Sequence, residues 1–207
     1  MPKGSPELTN ARKEEIINAC EELYQTMSFK EITIKEIGKA TSFTRTSIYN
    51  YFQTKEEIFL ALLKRENELW AADLADIMVQ YETMTKDEFA DKMARSLEKR
   101  GQMLKIMSMN HYDMESNSRS EHLIEFKEAY GESIRMVVDC LEKYFPDMLI
   151  KEKQDFIYTF FPFMFGIYPY TVVTEKQRAA MKAAGVNYVF MSIYEITYNC
   201  IKRLLNI

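Results

Sequence analysis

The sequence predicts an all-α fold in which a small N-terminal helical unit precedes a larger helical body, and three observations carry that expectation. Only six Gly and five Pro occur in 207 residues, a balance that favours helices over strands and tight turns. Apolar residues recur at helical spacing along most of the chain, and no alternating pattern competes. Finally, Ser or Thr followed three residues later by Glu or Gln recurs just ahead of those periodic runs, which marks capping boxes and hence helix starts. The pairs are Thr33 with Glu36, Thr54 with Glu57, Thr85 with Glu88, Ser118 with Glu121 and Thr174 with Gln177.

Taken in order, a first helix is expected from Asn10 to Met27, with Ile16, Ala19, Cys20, Leu23, Tyr24 and Met27 on one stripe. Thr33 to Lys55 divides into two short helical pieces, capped by Thr33 and Thr44. From Lys55 the period continues through Ile58, Leu62, Leu69, Trp70, Leu74 and Tyr81, a rod of about 40 Å at the usual rise per residue. Further helices are expected at 86–109, 120–145, 150–168, 175–183 and 188–205, with Pro146, Pro169 and Gly185 as stops and Asn110 to Ser120 as a connecting loop.

Composition narrows the function classes. Hydrophobic residues at 47% supply a core, so the chain is not of the disordered type. Cys20, Cys140 and Cys200 are odd in number and far apart, which suggests neither a disulfide framework nor a thiol zinc site. With a polar N-terminus that lacks an apolar export segment, a cytoplasmic location is expected. Net charge is −4, and residues 1–55 hold eight basic and seven acidic side chains, so any nucleic-acid contact must come from a small local surface.

Such a surface is predicted between Thr33 and Lys55. Ile34, Ile37, Ala40, Phe43, Ile48 and Phe52 face inward around a tight connection at Ala40–Phe43, the pattern of a helix-turn-helix. The second helix of that unit enters the major groove of duplex DNA with its N-terminal residues against base edges, which requires short polar or basic side chains there. Thr44, Arg45, Thr46 and Ser47 supply them as candidate base-reading residues, Arg45 by a paired bond to guanine or by a phosphate clamp.

Ile37, Ala40, Ile48, Tyr49, Tyr51, Phe52 and Lys55, in that order, resemble the signature of the tetracycline-repressor (TetR) family of transcriptional regulators. The resemblance implies an N-terminal helix-turn-helix DNA-binding domain, placed at residues 8–54, and a helical effector-binding and dimerisation domain at 55–207. It also implies DNA phosphate contacts from Tyr49, Tyr51, Lys55 and the start of the helix opened by Thr33. A lysine in the first turn of a helix opposes the helix dipole and fits a phosphate placed there. Two positions depart from the family pattern: its turn glycine is Ser42, expected at a backbone position easier for glycine or in a remodelled turn, and its small recognition-helix residue is Thr46.

In the body, Phe156–Val173 is 18 residues without a charge. Pro162, Pro169, a glycine and three tyrosines argue against a membrane span. The last helix carries one charge, Glu195, from Tyr188 to Ile201. One subunit can cover only part of such surfaces, so a homodimer is expected, with Phe161, Phe165, Tyr194, Tyr198 and Ile201 at its interface. Two recognition helices related by a two-fold axis would read a palindromic operator in double-stranded DNA. Met103, Met107, Met109, Phe126, Tyr130 and Phe160 belong to a Met- and aromatic-rich region. Met103, Met107, Phe126, Tyr130 and Phe160 are the candidates for an apolar effector pocket against ordinary core packing. An unknown small effector is expected to push the rod helix, and by the same resemblance the DNA is then released; family frequency makes repression the default sign.

No cofactor and no catalysis are expected, since G-x-S-x-G, phosphate-cradling glycine loops and H-E-x-x-H are missing. His111, Asp113, Glu115 and His122 show no metal-ligand spacing and read as a solvated loop. The alternative function is a helical protein-interaction module that does not bind DNA.

Overall fold

The computed structural model describes residues 5–206, apart from the side chains of residues 109–111, so Met109 and His111 lie outside the described side chains. Among the described residues the regular elements are α-helices, and no strand occurs. Helix α1 (Pro6–Thr26) starts earlier than expected because the Ser5 hydroxyl accepts the Leu8 amide and Pro6 stands where a missing N–H costs nothing. The short helices α2 (Ile34–Lys39) and α3 (Arg45–Ile48) are capped by the Thr33 and Thr44 hydroxyls. The rod α4 (Lys55–Gln80) opens at Thr54, whose hydroxyl accepts the Glu57 amide.

The single helix expected at 86–109 is two, α5 (Lys86–Glu98) and α6 (Gly101–Ser116). At the break the Arg100 side chain pairs with Asp73 at 2.6 Å. Helix α6 also runs through most of the expected loop, because the polar residues there act at its end: the Asn117 side-chain amide donates to the Asp113 carbonyl at 2.8 Å. Ser118 does not cap α7 (Ser120–Tyr144); its hydroxyl is buried without a partner and the helix begins two residues later.

Helix α8 (Ile150–Thr171) continues past Pro169, the expected stop. Both its prolines sit on the exposed side, where a lost backbone bond disturbs no packed neighbour. Helix α9 (Glu175–Ala183) ends at Gly185, whose φ of 69° suits a residue without a side chain. Helix α10 (Ile193–Leu204) begins later than expected, at a capping box of Ser192 and Glu195.

The chain packs as two compact units. The first is the chain up to Arg65 together with Asn110–Ala129, and the second is Glu66–Met109 with Tyr130 onward. In the first, α1 buries Ile16, Cys20 and Tyr24 under Phe59 of α4, with the Tyr24 and Phe59 rings edge-to-face at 4.9 Å. Arg65 fastens α4 to α1 through Glu14 at 3.1 Å and Glu21 at 2.6 Å. In the second, Trp70 is fully buried beside Phe160 and Phe161, its indole N–H donating to Ser96 at 3.0 Å. Helix α10 lies against α5 and α8, and Phe89 of α5 packs edge-on to Phe156. Among the described residues no single helix is long and apolar enough to cross a membrane; α8 and α9 pass that test only together and are bent by 85°.

Candidate nucleic-acid interface

The α2–α3 pair is held from below by Ile34, Ile37, Ile48 and Phe52, all buried. A Cβ added at Gly38 would stand 3.5 Å from the Arg45 Cα, an ordinary van der Waals contact, so the approach of the two helices does not depend on glycine there. Between the helices, the Ser42 amide donates to the Glu15 carboxylate of α1 at 2.6 Å. Among the described residues only Gly185 and Asn206 have positive φ, so Ser42 needs no glycine-like conformation. The turn is instead fixed by a charge-assisted bond from α1.

Above this apolar floor Thr44, Arg45 and Thr46 are exposed and Ser47 is half-exposed. The Thr44 hydroxyl accepts the Ser47 amide and lies 3.0 Å from the Ser47 hydroxyl, so these two side chains hold the first turn as well as facing outward. Arg45 donates to the Tyr49 hydroxyl at 3.1 Å, with its guanidinium 5.7 Å from that ring. Thr46 is exposed between them in sequence.

Of the residues expected at phosphates, Tyr49 is exposed and reaches the same surface as Arg45. Tyr51 accepts a hydrogen bond from Arg12 of α1 at 3.1 Å, and Arg12 also stands 5.8 Å from the Phe43 ring. Sequence reasoning missed Arg12, because α1 reads as a supporting helix and its register relative to Tyr51 is a tertiary fact. The Thr33 hydroxyl is taken by the Glu36 amide, so what α2 offers a phosphate is backbone.

Lys55, the remaining residue expected at a phosphate, has partners within the chain. Its ammonium donates to the carbonyls of Phe29 at 2.5 Å and Ile32 at 3.1 Å and lies 4.1 Å from the Phe29 ring. These bonds lock the α1–α2 connection and explain a lysine in the first turn of α4 without a phosphate.

In the body the expected residues separate. Phe161 and Ile201 are buried within the second unit and cannot present a surface to another subunit. Phe165 is half-buried against Tyr130, with ring centroids 6.5 Å apart. Tyr194 and Tyr198 stack at 5.7 Å and donate to Asp91 and Asp87 of α5, bonds that hold both phenols above their ordinary pKa range. Uncovered apolar residues of the second unit include Leu149, Ile150, Tyr158, Tyr170 and Val172 along α8 and its ends, as well as Val79, Val186 and Val189 outside it.

Met103, Met107 and Phe160 are buried in the second unit with Tyr130 half-buried, whereas Phe126 is core of the first. A separate cleft of ≈ 510 Å³ opens in the second unit between Lys86, Phe145, Asp155, Phe156 and Leu205, and none of the expected effector residues lines it. His122 is buried on Phe52 rather than solvated, and the described residues contain no cluster able to hold a metal ion.

Residues 16–62 match the family model for "Bacterial regulatory proteins, tetR family", and residues 64–199 match that for the "Tetracyclin repressor-like, C-terminal domain". The chain belongs to the TetR family. Among curated proteins, an HTH-type transcriptional repressor of Mycobacterium tuberculosis is 26% identical over 72 residues, a match spanning 35% of this chain and 38% of that protein. Among solved structures, the fatty acid degradation regulator FadR of Bacillus halodurans superimposes with a TM-score of 0.58 at 12% identity, covering 96% of each chain. The FadR repressor of Thermus thermophilus, solved in complex with lauroyl-CoA, gives 0.57 at 18% identity, over 94% of this chain and 93% of that one. At these identities the likeness is one of fold. The N-terminal TetR match contains Thr33, Thr44–Ser47, Tyr49, Tyr51 and Lys55, while Arg12 falls outside it.

Proposed function

We propose that this TetR-family chain is a homodimeric, DNA-binding transcriptional repressor that a small apolar effector releases from a palindromic operator. One observation carries the reading: Thr44–Ser47 project polar atoms from a turn whose other face is a closed core of Ile34, Ile37, Ile48 and Phe52. Any surface hairpin makes that division; what favours DNA reading here is that the exposed face carries the Arg45–Tyr49 pair and lies within the TetR-family match over residues 16–62. In this reading Thr44–Ser47 meet base edges, and Tyr49, Tyr51 and the α2 backbone meet phosphates, with Arg12 beside Tyr51 as an added cation. Lys55 acts by holding the α1–α2 connection in place.

The homodimer rests on the uncovered apolar residues of α8, where Ile150 and Tyr158 are each 77% exposed, and on Phe165, two helical turns after Tyr158 and so on the same side of the helix. Residues Met103, Met107, Tyr130 and Phe160 are proposed to receive the effector, and the lauroyl-CoA of the Thermus thermophilus relative favours an apolar chain as its chemistry. Helices α4, α6 and α7 each carry residues of both units, so a change in one is covalently continuous with the other. Repression is inferred from the Mycobacterium tuberculosis and Thermus thermophilus relatives, both of them repressors, and a cytoplasmic location goes with that role.

Selection of bound duplexes from a random pool, followed by mobility shift, tests the proposal. A recovered palindrome whose binding is lost on joint Arg45→Ala and Tyr49→Ala substitution supports it. Binding that persists unchanged in the double variant defeats the assignment of the interface, and failure to bind any duplex leaves the protein-interaction reading.

A further inference from the structure

The junction between α6 and α7 carries a charged cluster that none of the proposed DNA contacts uses. Glu57, in the first turn of α4, has a side chain only 1% exposed. Arg119, just ahead of α7, meets it fork to fork, Nε to Oε1 at 2.7 Å and Nη2 to Oε2 at 3.0 Å, and the Arg119 amide adds a bond to Oε1 at 3.1 Å. The same guanidinium donates to the Tyr51 carbonyl at 3.1 Å, and the Gln53 amide donates to Glu57 Oε2 at 2.7 Å. His122 Nε2 lies 2.9 Å from Arg119 Nη2, beside the two N–H groups directed at Glu57 Oε2 and the Tyr51 carbonyl. Its ring stacks on Phe52 at 5.5 Å, and the Thr54 hydroxyl donates to the Asn117 carbonyl at 3.0 Å.

Every bond in this set that reaches the head ends on Tyr51–Thr54, the segment immediately after reading helix α3. Burial pushes the Glu57 carboxyl upward, but the Arg119 and backbone donors outweigh it and hold it below its usual range. A buried ion pair of this kind stabilises no better than apolar packing of equal volume, so its distinctive contribution is geometry. Arginine suits that role, since its planar fork holds carboxylate and carbonyl at once where an ammonium presents a single point charge.

We infer that Arg119 and Glu57 are positioning residues for DNA reading: by pinning the Tyr51–Gln53 backbone from the α6–α7 junction, they set where Tyr49 and Tyr51 stand relative to Thr44–Ser47. The inference rests on the DNA-binding reading above and deepens it, placing control of affinity in a segment that need not touch DNA.

The test uses the full chain and a duplex recovered by selection. Arg119→Ala would strand a buried carboxylate, so the informative variant is Glu57→Gln with Arg119→Met, which leaves an acceptor for the Gln53 amide and no orphan charge. Expected are helical content like that of the unaltered chain, DNA affinity lower by about tenfold or more, and faster amide exchange confined to residues 49–53. The salt dependence of binding should keep its slope, since no phosphate contact is removed.

Wild-type affinity in the folded double variant overturns the inference. So does a slope smaller by about one in the same variant, which would make Arg119 itself a phosphate ligand. If the double variant fails to fold, Arg119→Lys decides: a folded protein with affinity reduced several-fold supports positioning, and wild-type affinity refutes it. Failure of the unaltered chain to bind any selected duplex instead counts against the DNA-reading function.

Discussion

Helices α3 and α8 treat their surfaces in opposite ways. Helix α3 is four residues long, buries only Ile48 and turns hydroxyls and a guanidinium outward. Helix α8 is 22 residues long, buries Phe156, Phe160, Phe161, Met164 and Ile167, and still leaves Ile150 and Tyr158 uncovered. A polar tip over a closed core is a finished monomer surface awaiting a polar partner. Apolar residues on a second helix face are a surface awaiting more protein. On the proposed function, the contrast separates the surface that would meet DNA from the one that would meet another subunit, and each half can be broken alone.

The largest effect is expected from Ile150→Glu with Tyr158→Glu on α8. Sedimentation should show a dimer becoming a monomer, and operator affinity should fall by about a hundredfold or more as two linked half-site contacts become one. Retention of the dimer would move the interface off this face. Next comes Ile48→Ala beneath α3, which removes a fully buried side chain and should cost about 2–5 kcal/mol in chemical denaturation. If the two units melt separately, the loss should fall on the first.

A third prediction concerns acid. Because Glu57 is held below its usual range in the folded chain, its contribution is complete above the ordinary glutamate range and is lost as pH falls through its lowered value. The stability difference between the unaltered chain and Glu57→Gln should therefore be largest at neutral pH and shrink on acidification, as followed by melting curves at stepped pH. The smallest effect on stability is expected from Thr46→Ala on exposed α3, within about 0.5 kcal/mol, while operator affinity drops. A substitution there that leaves affinity untouched would remove Thr46 from the reading face.

What the sequence made legible follows the same division. Thr33, Thr44, Thr54, Thr85 and Thr174 announce helix starts because a cap hydroxyl and its amide are three residues apart in any fold, and all five act as caps. The polar tip at Thr44–Ser47 was legible for the same local reason. Ser118 has the same spacing and fails, since the segment after it is held by Arg119 and Glu57 from distant parts of the chain.

Phase was not legible in α8 and α10. The uncharged run of α8, and the stretch of α10 in which Glu195 is the one charge before Lys202, offer little polar face to fix which side turns inward, and Phe161 and Ile201, expected at a subunit interface, lie in the core. Pro169 reads as a stop, yet its ring sits on the exposed side of a continuing helix. Arg12, Lys55 and Arg119 take their roles from partners 39, 26 and 62 positions away, separations that no periodicity encodes.

If Thr44–Ser47 read base edges, discrimination between bases must depend on them position by position. With a recovered operator and each of its single base-pair variants, the affinity of the unaltered chain is compared with that of Arg45→Ala. The account predicts that the variant loses about 1–3 kcal/mol of discrimination at one position in each half-site and keeps it at the others. Uniform weakening at all positions, or an unaltered profile, would contradict it.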